Sequence, residues 1–197
     1  MESTVYLTMV ALMLFVNLLE KSYALSLHDE VTHLPARRAM RREIKSVESS
    51  YALALVSVDH YKMLQDRYGR DASDRILRKI AGDFRRVGRH SRPFRYSGES
   101  FTLVFAGKGR NEVIGDLEAL RADIEDFRFP MSPNGMGGRK SDSTKYPAVR
   151  WSLTVTVGVA ERREEGGWWS SRYGAIARAA RGALHRGRKV GGNTVFK

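Results

Sequence analysis

Residues 51–58, YALALVSV, place the tightest constraint on this chain. Only Ser57 in that run is polar. A strand this uniformly apolar has no face to give to water, so it belongs at the centre of a sheet with helices packed over it. The flanking sequence supplies those partners. Pro35 suits the first turn of a helix running to about residue 47. Residues 59–68 and 73–87 read as helices split by Gly69-Arg70-Asp71, and Ile76, Leu77, Ile80 and Phe84 recur at helical spacing as expected core. Strands over 93–96 and 101–105 flank the polar knot Ser97-Gly98-Glu99-Ser100, which predicts a hairpin with a carboxylate at its tip. Residues 111–127 form a helical pattern with Val113, Ile114, Leu117, Leu120 and Ile124 inward. Residues 130–148 are rich in Pro, Gly and Ser and predict a long loop. Residues 149–160 alternate as one long strand, 170–187 form a helix and 193–197 a last strand. The order β-α-α-β-β-α-β-α-β predicts an α/β fold over 27–197, with one mixed sheet and helices packed on it.

The first 26 residues carry different chemistry. Residues 3–19, STVYLTMVALMLFVNLL, form an uncharged run of 17 residues, at the lower edge of what spans a bilayer. Three readings stay open: a membrane-proximal anchor, a buried or dimerising signalling helix, or a cleaved signal. Ser22-Tyr23-Ala24 resembles a cleavage site, but Glu2 stands where a secretory signal has positive charge. Lys21 and the basic body beyond it would hold the body on the cytoplasmic face of a membrane.

Charge narrows the partners. The chain carries a formal net charge of +12 and no cysteine, so it has neither a disulfide nor a thiolate metal site. The cation excess favours nucleotide phosphates, nucleic acid or an anionic membrane surface. RNA binding on a sheet needs exposed aromatic pairs, and YALALVSV has one aromatic, at its start, so nucleic acid is not expected. The arginine pairs at 37–38, 41–42 and 85–86 read as solvated helix faces, and Trp168-Trp169 as a hydrophobic lid or partner contact.

The end of the 51–58 strand and the hairpin tip form the candidate site. Asp59 at one and Glu99 at the other would offer oxygen ligands to a hard divalent cation if the two ends meet. Lys62 follows on the next helix, whose N-terminus favours phosphate. Asp59 could equally cap that helix.

Five segments carry a resemblance. His28-Asp29-Glu30-Val31-Thr32-His33-Leu34-Pro35-Ala36-Arg37-Arg38 is similar to D-x-L-T-G-L-P-N-R-R. Residues 57–69, from Ser57-Val58-Asp59 through Lys62 and Gln65-Asp66 to Gly69, are similar to D-x-D-x-F-K-x-x-N-D-x-x-G, with Asp74 beyond. Arg95-Tyr96-Ser97-Gly98-Glu99-Ser100-Phe101 stands at R-x-G-G-[DE]-E-F. Thr154–Ala160 resembles V-T-x-S-x-G-V-A, and Ala183–Asn193 resembles A-L-Y-x-A-K-x-x-G-R-N. Together they resemble the GGDEF domain of diguanylate cyclases, which join two GTP into cyclic di-GMP in bacterial signalling. The resemblance implies a nucleotidyl-cyclase-like sheet surrounded by helices, working as a homodimer or with a partner, in the cytoplasm or at the inner membrane. It implies guanine nucleotide binding through Gly98, Gln65, Asp74, Lys62 and Arg188. It also implies magnesium or manganese held by Glu99, the Val58 backbone and, as an option, Asp59, with Glu99 and Lys62 in the catalytic positions.

The departures from that pattern are equally specific. Ser57 stands where the family has a metal-ligand aspartate, Ser97 and Ser100 replace a glycine and an acid of the hairpin, Gln65 replaces asparagine and Gly192 replaces arginine. The R-x-x-D product-inhibition motif falls on Gly88 and Ser91, so no inhibitory site is expected. Phosphoryl transfer needs metal charge on the phosphates, and a neutral hydroxyl is a poor magnesium ligand. The expectation is a degenerate regulatory or scaffolding module with weak or no cyclase activity. The alternative is an active cyclase in which Asp59, on the same face as Ser57 and roughly 6–7 Å along the strand, reaches a displaced metal with Glu99.

Overall fold

The computed structural model describes residues 2–25, 27–47, 49–87, 91–131, 149–162 and 173–197. Two N-terminal helices, α1 (Glu2–Leu25) and α2 (Arg37–Ser46), precede the central strand β1 (Tyr51–Val58). Then follow α3 (Tyr61–Val87), the hairpin β2 (Arg92–Ser97) and β3 (Ser100–Ala106), and α4 (Ile114–Asp126). The remainder is β4 (Arg128–Met131), β5 (Val149–Ser152), β6 (Val155–Arg162), α5 (Tyr173–Lys189) and β7 (Val195–Phe196).

The main sheet has the order β2-β3-β1-β6-β7. β1 lies between two antiparallel neighbours, with Ser57 opposite Ser100 on β3 and opposite Thr156 on β6. Among the described strands of this sheet only the β6–β7 pairing is parallel. All eight residues of β1 are buried, as the uniformly apolar run requires. Its alternation sorts them between two cores. Ala52, Ala54, Val56 and Val58 pack under α3 and α4, whereas Tyr51, Leu53 and Leu55 pack under α2 and α5. Ile76, Leu77, Ile80 and Phe84 of α3 are all buried, and Phe84 meets Phe101 edge-to-face at 4.9 Å between centroids. Each such fully buried side chain contributes about 1.5–3 kcal/mol of transfer free energy.

Several boundaries differ from the expectation. The single long strand over 149–160 is two strands: β5 pairs with β4 in a separate ribbon, and β6 joins the main sheet after Leu153-Thr154. Period-2 alternation continues through such a transfer because it reports faces, not partners. β4 itself went unread, since four residues next to a Pro-rich stretch give no period. α4 begins at Ile114, and Ile114 is only half-buried, while Val113 just before the helix is in the core. The arginine pairs are not simply solvated faces: Arg85 donates to the Thr32 and His33 carbonyls, and Arg37 stacks over Tyr96 at 4.6 Å. The 17-residue apolar run does form a helix, with Leu7, Met9, Leu12, Met13 and Leu14 exposed. Among the described residues no helix is long and apolar enough to cross a membrane, so the spanning option for this run finds no support. Trp168, Trp169, Gly88 and nearly all of loop 130–148 lie outside the described residues.

The expected break at Gly69 is a kink within one long helix. Gly69 has φ 81° and ψ 175°, a backbone region that a Cβ excludes, although open space surrounds the position itself. Gly69→Ala is therefore expected to cost roughly 1–3 kcal/mol through backbone strain alone. Urea denaturation checks this. A variant as stable as the parent would show that the kink relaxes freely.

Candidate functional site

The β1–α3 turn, the β2–β3 hairpin tip, the turn before α2 and the last turn of α5 converge on one cleft of about 930 Å³. That volume suits a nucleotide-sized ligand, for which sites run to about 300–1,000 Å³. The antiparallel register brings the parts together. Ser57 pairs with Ser100, so the end of β1 lies beside the hairpin tip, and the Val58 N–H donates to the Glu99 carbonyl at 3.2 Å. The tip turns through Gly98 at φ 37°, the left-handed region that favours glycine. The register irregularity between Arg95 and Ser97 helps aim that turn.

Lys62, Gln65 and Asp74 on α3, Gly98 and Glu99 on the hairpin, Val58 on β1 and Arg188 on α5 all line this one cleft. In sequence they span residues 58 to 188; in space they share a wall. Asp59 is the exception. It lies one residue past the end of β1, and its carboxylate is turned toward β6 and the turn into β7. It accepts hydrogen bonds from Thr154 Oγ1 at 2.9 Å, Thr156 Oγ1 at 2.7 Å and the Asn193 N–H at 3.0 Å. It lines a separate small cavity with Thr154 and Met63. Those three donors occupy it in place of the α3 N-terminus. His60, the next residue, holds φ 54°, an uncommon conformation for a non-glycine residue, and it turns the chain into α3.

Reading the sequence did not single out the role of Arg95. Strand alternation says nothing about a guanidinium being buried in a hairpin, yet Arg95 is 8% exposed. It donates to the Gly98 carbonyl, lies 3.9 Å from Asp29 and sits over the Phe101 ring at 4.5 Å. Burial weakens its hold on its proton, and the nearby Asp29, Tyr61, Asp74 and Glu99 oppose that loss. Its Nη1 is buried without a hydrogen-bond partner. Asp29 is itself fixed by the Thr32 N–H at 2.8 Å and the Thr32 hydroxyl at 2.7 Å, which explains the polar turn before α2.

A divalent cation would have to be held by Glu99, the Val58 carbonyl and Ser57. Without phosphate oxygens from a ligand these groups fall short of a magnesium site: they offer one carboxylate, and among the described residues no group of three or more His, Cys, Asp or Glu could hold a metal. The position is also contested: the Arg188 guanidinium donates to Ser57 Oγ and lies 3.7 Å from Glu99 Oε1. Ser100 Oγ reaches Ser57 Oγ at 3.4 Å, completing a network of hydroxyls and one arginine.

Residues 26–143 match the family described as diguanylate cyclase, GGDEF domain. Response regulator PleD of Caulobacter vibrioides is 24% identical over 161 residues, which is 76% of this chain and 32% of that protein. Diguanylate cyclase VdcA of Vibrio cholerae is 27% identical over 175 residues, covering 87% of this chain and 47% of VdcA. The chain thus spans between about a third and a half of these curated relatives. Among solved structures, the coiled coil and GGDEF domain of DgcB from Caulobacter crescentus, in complex with c-di-GMP, superposes with TM-score 0.72 at 22% identity. That match covers 99% of this chain and 97% of that one. The FimX GGDEF domain from Pseudomonas aeruginosa superposes with TM-score 0.73 at 19% identity, covering 87% and 99%. At such identities the structural likeness establishes the fold.

Proposed function

Because this chain belongs to the GGDEF family, we propose that it is a degenerate member: a regulatory or scaffolding module of cyclic di-GMP signalling with weak or no cyclase activity and residual guanine nucleotide binding. The observation that carries this reading is the arginine at the strand end. Arg188 lies against Ser57 and Glu99, where the resemblance puts metal and carboxylates. What supports residual binding is the shared cleft, in which Lys62 and Arg188 supply charge for phosphates and Gln65 and Asp74 supply polar edges for a base. Asp59 speaks against the active alternative, since its carboxylate is already engaged by three donors. DgcB was solved with c-di-GMP, and SiaD of Pseudomonas aeruginosa with its activator SiaC. By analogy, this module's partners are a guanine nucleotide and a signalling protein, either a second copy or a different chain.

The test is incubation of the chain with GTP and magnesium or manganese, followed by chromatography for product. No cyclic di-GMP above background is expected. Each lost charge-assisted contact removes roughly 1.5–3 kcal/mol, about tenfold to a hundredfold in affinity, so GTP should bind weakly. An NMR titration should show GTP preferred over ATP, and Asp74→Ala should remove the preference. Robust metal-dependent turnover would overturn the reading.

A further inference from the structure

We propose that this cleft takes its phosphate-bearing ligand as the free anion, without a divalent metal, and that the Arg188 guanidinium supplies the charge a metal would otherwise bring. The proposal rests on the nucleotide reading above and adds the ionic form of the ligand.

Two independent features point this way. The first is the resident cation. Arg188, in the last turn of α5, donates to Ser57 Oγ and lies 3.7 Å from Glu99 Oε1. Ser57 is fully buried, and its hydroxyl is also approached by Ser100. A divalent ion on Glu99 would lie within a few ångströms of this guanidinium. The repulsion would be felt in a partly desolvated site, where Ser57 stands in place of a second carboxylate at the strand end. A guanidinium also has five N–H donors in a planar fork matched to phosphate oxygens, so contact with Ser57 leaves donors for a ligand.

The second feature is Arg95. Its side chain is nine-tenths buried, it lines the same cleft, and its Nη1 has no hydrogen-bond partner among the described residues. A buried charged donor left unpaired is costly, and an anionic oxygen entering the cleft would satisfy it. A metal-complexed triphosphate would present a net charge two units less negative to these arginines, because it carries the divalent cation with it. The free anion brings all of its charge.

Calorimetry on the full chain tests this, using GTP and inorganic tripolyphosphate, each in EDTA and in excess magnesium. GTP is expected to bind in EDTA, and excess magnesium should weaken it about tenfold by sequestering the free anion. Tripolyphosphate should follow the same order, and Arg188→Ala should weaken both by tenfold or more. GTP binding that appears only with magnesium, or that magnesium tightens, would overturn the proposal while leaving nucleotide binding in place. Tripolyphosphate binding in EDTA without any GTP response would remove the guanine reading and keep the proposal. Silence from both ligands in EDTA would sink the proposal. A spectroscopic arm needs no nucleotide: electron paramagnetic resonance should show no manganese on the parent chain and a bound ion on the double variant Ser57→Asp, Arg188→Ala. Manganese bound to the parent and lost in Glu99→Gln would also overturn it.

Discussion

Gly158→Ala is expected to bring the domain close to unfolding. Gly158 lies on β6 directly beneath α5, and the helix backbone rests on it. A Cβ added there would stand 2.2 Å from the Ala180 carbonyl oxygen, 2.3 Å from the Leu184 nitrogen and 2.8 Å from the Leu184 Cα. No rotamer change relieves such contacts, because all three are backbone atoms. The helix has to withdraw, which opens the core formed by Leu53, Leu55, Ile176, Ala180 and Leu184. Overpacking typically costs about 1–3 kcal/mol and occasionally more, and a clash with three backbone atoms puts this change at roughly 3 kcal/mol or above, out of about 5–15 kcal/mol for a whole domain. Because α5 also carries Arg188, any folded fraction should bind nucleotide less well. Thermal and urea denaturation with circular dichroism measures the first effect. A melting temperature within a degree or two of the parent would show that α5 seats differently from the way described.

Asp59→Ala is expected to be the next most damaging change, and it separates a structural carboxylate from a functional one. Asp59 ties three pieces of chain together: the end of β1, Thr154 and Thr156 on either side of the start of β6, and the turn that leads into β7. Its loss leaves the fully buried Thr156 hydroxyl and the Asn193 N–H without their acceptor. Hydrogen bonds to a charged group are worth about 1.5–3 kcal/mol each, and partial exposure discounts the sum, so a net loss of roughly 2–4 kcal/mol is expected. Asp59→Asn should recover part of it. Asp59 does not line the large cleft, so GTP affinity of the folded protein should change less than that of Arg188→Ala. Unchanged stability together with a lost nucleotide response would place the carboxylate in the binding site after all.

The turn that Asp59 secures shows how context adds what motifs lack. Gly191 and Gly192 hold φ 116° and 75°, and Asn193 holds 48°. A side chain at Gly192 would begin 3.1 Å from the Asp59 carboxylate. Asn193 in turn donates to Glu125 at 2.9 Å and accepts from Arg121 at 2.9 Å, so α4 is joined to the same turn. Gly192 is therefore more than a missing positive charge. It is a backbone turn folded around the carboxylate of a residue 133 positions earlier, as the numbering shows.

Local chemistry alone determined much of this protein. Burial on both faces follows from an uninterrupted apolar run, so β1 had to be central. The α3 core face follows from 3.6-residue periodicity at Ile76, Leu77, Ile80 and Phe84, and the hairpin from a polar knot between alternating strands. Five motifs in order identified the family, because their order and spacing together are far more specific than any one of them. Tertiary structure decided the rest. The split of residues 149–160 between two sheets depends on which neighbour each half finds, and alternation is blind to that. The burial of Arg95 and the rotation of Asp59 away from the cleft depend on partners at residues 29, 101, 154, 156 and 193. The seat of Arg188 against Ser57 spans 131 residues of sequence. Charge and hydrogen bonding act through space, so which cation meets which carboxylate is settled only when the sheet closes and α5 comes down upon it.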